Sequence, residues 1–247
     1  LMRLKNASGI EIALGEGTKL KCLIVLYIVS AIQDNSKFDG RGISPRFRQT
    51  TVRKFFYLCS MFQNRITDGF LLSLATKFNT SLKKEQGDCI RLICKYADVY
   101  NVTDVRMVAY MLATAYHECR FQAIKEFRAK PGTKTYELQN RYWNTGFYGR
   151  GYIQLTWEKN YKKFSELLKQ DFVGNPDLVL IPENAAHILV YGMVEGSFTG
   201  KKLSDYFKPG KLADWIGARK IVNGTDQALR ISDAAQKIYT LLVVDGN

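Results

Sequence analysis

Helical periodicity constrains this chain most, because it runs through the second half and is broken by one irregular stretch. Val105, Val108, Leu112, Ala115 and Cys119 form an apolar stripe of the spacing that puts side chains on one face of a helix. Thr103 is placed to cap it, with Asp104 in the first turn. Earlier, SLKKEQGDCIRLICKYADVY predicts a helix ending near Tyr100. Thr156–Leu168, a helix opened by Pro182, Leu212–Val222 and Ala228–Leu242 repeat the pattern. Between Arg128 and Tyr152 the Gly, Asn, Tyr and Lys content rises, which predicts a loop with short β pieces. The expected fold class is mainly α, with a small β/loop insertion.

Residues 1–80 read as a separate N-terminal region of mixed α and β character. Ser8-Gly9 and Gly15-Glu16-Gly17 punctuate short β-compatible stretches. An apolar run, Cys22 to Ile32, is shorter than the roughly 20 residues that span a bilayer. As a signal-peptide core it would follow a long leader containing Glu11 and Glu16, so a buried strand or core helix fits better. Phe55, Leu58, Phe62, Ile66, Phe70 and Leu74 recur at helical intervals. The polar pair Asn79-Thr80 marks the expected boundary, giving regions 1–80 and 81–247.

Composition narrows the class of partner. Lys plus Arg number 36 and Asp plus Glu 23, a formal net charge of +13, which favours a polyanionic partner or substrate. The excess is spread along the chain without a basic tail, and no nucleic-acid reading motif is present, so no nucleic acid is expected. The five cysteines, Cys22, Cys59, Cys89, Cys94 and Cys119, show no metal-ligand spacing, and His117 and His187 lie far apart. The cysteines read as small buried groups of a reduced chain.

Chemistry concentrates between Tyr116 and Trp157. Glu118 ends the apolar helix, where desolvation by apolar neighbours would favour its protonated form. Glu126 comes beyond the helix end. Two carboxyls in different environments are what glycoside hydrolysis needs, one to donate a proton and one to activate water. YGRGYIQLTW, at 148–157, adds weight. Gly149 and Gly151 around Arg150 permit a tight backbone course, and Tyr148, Tyr152 and Trp157 offer flat faces of the kind that stack on sugars. Alternation of Gln154 and Thr156 with Ile153 and Leu155 predicts a strand forming a cleft wall.

His117-Glu118, YGRGYIQLT, Ile221-Val222-Asn223-Gly224 and Arg230, in that order, resemble glycoside hydrolase family 19, over roughly residues 82–243. That family includes plant-type chitinases and bacteriophage endolysins with a lysozyme-like, bilobal helical fold. The resemblance implies that Glu118 is the general acid, that Glu126 is the base, and that Thr156 helps hold the attacking water. It implies substrate contacts from Tyr148, Arg150, Gln154 and Asn223, with Arg230 supporting the acidic site. Glu137 is the rival for the base. The chain departs from the family where Cys119-Arg120-Phe121 replace small residues and glycines.

The reaction implied by this resemblance is an inverting two-carboxylate hydrolysis of β-1,4 bonds without metal or organic cofactor. The implied carboxyl separation is roughly 6.5–9.5 Å, with water between. The charge and the reduced cysteines favour a phage-encoded endolysin (muramidase) acting on peptidoglycan, made in the host cytoplasm and then acting on the cell wall, or carried in the virion. Chitin, or a non-catalytic glycan-binding or virion structural role, are the alternatives. Residues 1–80 are expected to serve cell-wall or virion attachment.

Overall fold

The computed structural model describes residues 2–5, 11–14 and 62–244. The chain divides into two compact units, Leu1–Cys59 and Ser60–Asn247. In the first, β1 (Met2–Lys5) and β2 (Glu11–Leu14) pair antiparallel, with Met2 opposite Leu14 and Lys5 opposite Glu11. Ser8-Gly9 comes between them in sequence and lies outside the described residues. The apolar run at 22–32 lies outside the described residues.

The second unit starts some twenty residues earlier than the expected boundary at 80. Phe62, Ile66, Phe70 and Leu74 belong to the same buried cluster as Ile238 and Leu242. Helix α1 (Asp68–Lys77) opens on Thr67, whose hydroxyl accepts from Phe70 N, and packs against the C-terminal helix. Asn79 is left-handed at φ 48°, and Thr80 N donates to Ala75 O. The polar pair at 79–80 is therefore a helix stop, not a domain boundary.

Helix α2 (Lys84–Val99) precedes α3 (Val105–Cys119), which is capped by Asp104 rather than Thr103: the Asp104 carboxylate accepts from Arg106 N at 2.9 Å. From Val108 to Ala115 every residue of α3 is buried, which makes it the central helix of the unit. Farther along, α5 (Glu158–Leu168) and α6 (Pro182–Glu195), the latter with proline in its first turn, lead to the short α7 (Leu203–Tyr206) and to α8 (Ala228–Val244). Helix α3 packs against α8, and α2 against α6. The helix expected over 212–222 shrinks to a 3-10 turn at Gly217–Ile221.

The insertion is more ordered than a loop. Strands β3 (Ile124–Lys125) and β4 (Arg150–Gly151) pair antiparallel, and helix α4 (Lys134–Gln139) and a 3-10 turn at Trp143–Thr145 lie between them in sequence. The strand expected at 153–156 is absent. Arg150 and Leu155 instead exchange backbone hydrogen bonds (3.2 and 2.9 Å), closing a tight turn with Gly151 at φ 76° and Gln154 at φ 53°. Burial still alternates, because Ile153 and Leu155 are buried while Gln154 and Thr156 are half-buried. Mainly α with a small β/loop insertion is the fold observed.

Candidate active site

Glu118 lies in the last turn of α3, where the negative end of the helix dipole disfavours an anion. A buried cation offsets that. Arg219, 4% exposed in the 3-10 turn at Gly217–Ile221, donates from Nη1 to Glu118 Oε1 at 2.7 Å and from Nε to the Asp226 carbonyl at 3.0 Å. Arg219 is the cation that meets Glu118, whereas Arg230, expected to support the acidic site, is exposed on α8 and acts on the neighbouring His117.

After Glu118 the chain turns sharply without glycine. Arg120 and Phe121 are both left-handed (φ 52° and 60°), their amides donating to Tyr116 O and Ala115 O. The Phe121 ring is buried, so packing holds a turn that glycine would otherwise permit.

Glu126 comes directly after β3 and sits in a cradle of three donors. Gln139 Nε2 and the Tyr142 hydroxyl donate to Oε1, each at 2.8 Å, and Gly149 N donates to Oε2 at 2.9 Å. All three partners are donors, a pattern that a carboxylate satisfies. Burial, and then the adjacent Glu126, push the Tyr142 phenol up, so it stays a hydroxyl. The Gln139 amide cannot flip without loss: its oxygen accepts from Ala129 N (2.7 Å) and its nitrogen also donates to Phe127 O (2.8 Å). Gly149 is required by close approach. A methyl group there would stand 2.8 Å from Gln154 Oε1 and 3.2 Å from Glu126 Oε2.

Gln139 and Tyr142 were not singled out from the sequence. Thr133 followed by Glu137 is a helix-start signal that would have revealed α4, and Thr133 Oγ1 does accept from Tyr136 N at 3.2 Å. Glu137, the rival base, is exposed in the first turn of α4, with Asn140 Nδ2 at 3.3 Å from its Oε2.

A groove of about 340 Å³ is lined by Glu118, Gln154, Thr156, Trp157, Asn160 and Asn223, with Phe198 among its walls. The Thr156 hydroxyl donates to Gln154 O (3.0 Å), and Asn160 Nδ2 to Thr156 O (2.7 Å). Gln154 Nε2 ties the turn to β3 through Ile124 O at 3.0 Å. Asn223 accepts from Gly224 N at 2.8 Å. Glu126 is not on the groove lining itself; its carboxylate and the Gln154 amide both lie close to Gly149. A larger hollow, about 720 Å³ between α1 and α2, contains none of these residues and is crossed by the Asp68–Arg91 ion pair.

Other expected contacts are absorbed by the framework. Arg150, 4% exposed, donates to Asp177, Gly146 O, Tyr148 O and the Tyr161 hydroxyl. It therefore braces the hairpin instead of reaching substrate. Asp177 bridges it to Lys125 across β3 and β4. Tyr148 stacks on Trp143 (4.4 Å, 16°) with the Arg150 guanidinium 4.0 Å from its ring centre, and Tyr152 is 2% exposed. The His117 side chain makes no hydrogen bond among the described residues. Burial pushes its imidazole down, against the pull of Glu118, with Arg219, Arg230 and Arg120 adding to the downward shift.

Comparison with known proteins adds a short likeness. No family model matches the chain. A stretch of 35 residues is 57% identical to the acidic 27 kDa endochitinase of Solanum lycopersicum. That match spans 14% of this chain and 14% of the tomato protein. Among solved structures, a chitinase C mutant is similar over 70% of this chain and 91% of its own, at 20% identity and a TM-score of 0.43.

Proposed function

We propose that the protein is a lysozyme-like, chitinase-type glycoside hydrolase that cleaves β-1,4 bonds of an N-acetylhexosamine polymer, acting as a phage-type endolysin on peptidoglycan. One observation carries this reading: Glu118, Gln154, Thr156 and Asn223, spread over a hundred residues of sequence, line one groove, and the Glu126 carboxylate and the Gln154 amide both close on Gly149.

Glu118 donates a proton to the glycosidic oxygen. The buried Arg219, 2.7 Å from Glu118 Oε1, stabilises the carboxylate that donation leaves. Glu126, oriented by Gln139, Tyr142 and Gly149, takes a proton from a water beside Thr156, and that water attacks the anomeric carbon from the opposite face. The +13 charge favours adsorption to an anionic wall and makes binding salt-sensitive. Attachment to wall or virion is assigned to the N-terminal region. The match to a tomato endochitinase favours chitin as the second substrate reading.

The test is mass spectrometry of digests of peptidoglycan and chitin by the parent protein and Glu118→Gln. Glycosidic products from peptidoglycan with the parent alone support the proposal. Products from chitin alone move the substrate. Equal wall clearance by parent and variant removes the enzyme and leaves the glycan-binding or structural alternative.

A further inference from the structure

Trp157 breaks three local rules at once. It precedes α5, where a short polar side chain would cap the helix, yet it makes no capping bond. Its φ of 76° and ψ of 132° lie where a bulky L-residue is strained. The residue remains 39% exposed instead of entering the core. The conformation is imposed by the backbone around it: Trp157 N donates to Phe147 O (2.9 Å), and its carbonyl accepts from Asn160 N and Tyr161 N (2.9 and 3.3 Å).

Neither burial nor capping repays that strain. Its visible result is a large exposed aromatic residue on the lining of the groove, with Thr156 and Asn160. The Tyr142 ring meets the indole edge-on (5.2 Å, 64°), and the Arg141 guanidinium stands 5.8 Å from its centre. Tyr142 is the residue whose hydroxyl donates to Glu126. One aromatic ring thus links the indole to the cradled carboxylate. The other aromatic side chains of the motif are engaged elsewhere, Tyr148 between Trp143 and Arg150 and Tyr152 in the core.

We infer that Trp157 is the sugar-stacking wall of the groove, a specificity-determining residue that takes the apolar face of an N-acetylhexosamine ring and, backed by Tyr142, holds that ring in the groove that Glu118 lines. The inference rests on the glycan-hydrolase reading and adds to it the residue that selects a flat, C–H-rich ring.

The test uses the full chain and two probes, the hexamer of N-acetylglucosamine and a soluble peptidoglycan glycan strand, with calorimetric binding to whichever the parent binds. Glycine adopts positive φ freely, so Trp157→Gly removes strain together with the ring. The expected result is a Tm within about 2 °C of the parent and an affinity about tenfold weaker or worse. A lower Tm with unchanged affinity makes Trp157 a packing residue and overturns the inference. Trp157→Phe and Trp157→Leu, which both keep the strained backbone, form a second comparison. Phe is expected to stay within about threefold of the parent and Leu to lose about tenfold; Leu binding as tightly as Phe is equally fatal. A parent that neither binds nor cleaves either probe refutes the glycan reading itself, whereas a parent that binds while all variants bind equally refutes only the role of Trp157.

Discussion

Replacing Arg219 with Met keeps most of the buried volume and removes the cation that Glu118 faces. Two hydrogen bonds disappear: Nη1 to Glu118 Oε1 at 2.7 Å and Nε to Asp226 O at 3.0 Å. Asp226 is exposed, so water replaces the second bond at little cost. The first is different, because Arg219 is 4% and Glu118 17% exposed. Removing one partner of a buried ion pair costs about 3–5 kcal/mol, and residual access of water to Glu118 lowers this to about 2–4 kcal/mol. In a unit of this size each kcal/mol moves Tm by about 2–4 °C, so Arg219→Met should melt roughly 5–15 °C below the parent. The assay is calorimetric melting at neutral pH of the parent, Arg219→Met, Glu118→Gln and the double variant. Glu118→Gln leaves the guanidinium buried against an amide, so the double variant should be less destabilised than the sum of the singles, by about 1–3 kcal/mol. Additivity within about 0.5 kcal/mol, or a Tm shift below about 2 °C, would refute the ion pair as what holds Glu118.

Gly149→Ala should lower kcat by about 10- to 100-fold with a small change in Tm, because the new methyl group displaces Gln154 and Glu126 by tenths of an ångström; an unchanged kcat in a steady-state assay disconnects Gly149 from the reacting groups. Stability should also fall on mild acidification. Tyr96 stacks on His187 at 4.6 Å, and the hydroxyl of Tyr100, whose phenol burial pushes up, hydrogen-bonds its Nε2. Burial pushes His187 below its unfolded value of about 6.5, so the unfolded chain binds more protons, and stability is lost as pH falls through that value toward the folded one. His117, shifted down mainly by burial, adds the same sign. Urea midpoints at pH 7.5 and 5.5 should show the loss, reduced in His187→Phe; an identical slope in parent and variant contradicts it.

Much of the helical framework is legible locally. The helices at 84–99, 105–119, 182–195 and 228–244 carry their apolar spacing, and in places a cap or an opening proline, within a dozen or so residues. Where local signals misled, a longer-range interaction won. Ile153 to Thr156 alternate like a strand, but the Arg150–Leu155 bonds fold them into a turn that produces the same alternation of burial. Asn79-Thr80 has the polarity of a linker, yet Phe62, Ile66 and Phe70 bury against the C-terminal helix, which moves the boundary to Ser60.

For the candidate site, residue types and order in the sequence determined which carboxylates and polar groups to watch: Glu118, Glu126, Gln154, Thr156 and Asn223. Which partners meet them was decided by tertiary structure alone. Arg219 reaches Glu118 across a hundred residues, Gln139 and Tyr142 converge on Glu126 from a helix and turn without a motif, and Arg150 and Tyr148 are consumed by the framework. Spacing along a chain encodes the face of a helix. It does not encode which donor lies 2.8 Å from an oxygen once distant elements pack, and such contacts control the charge and aim of a carboxylate.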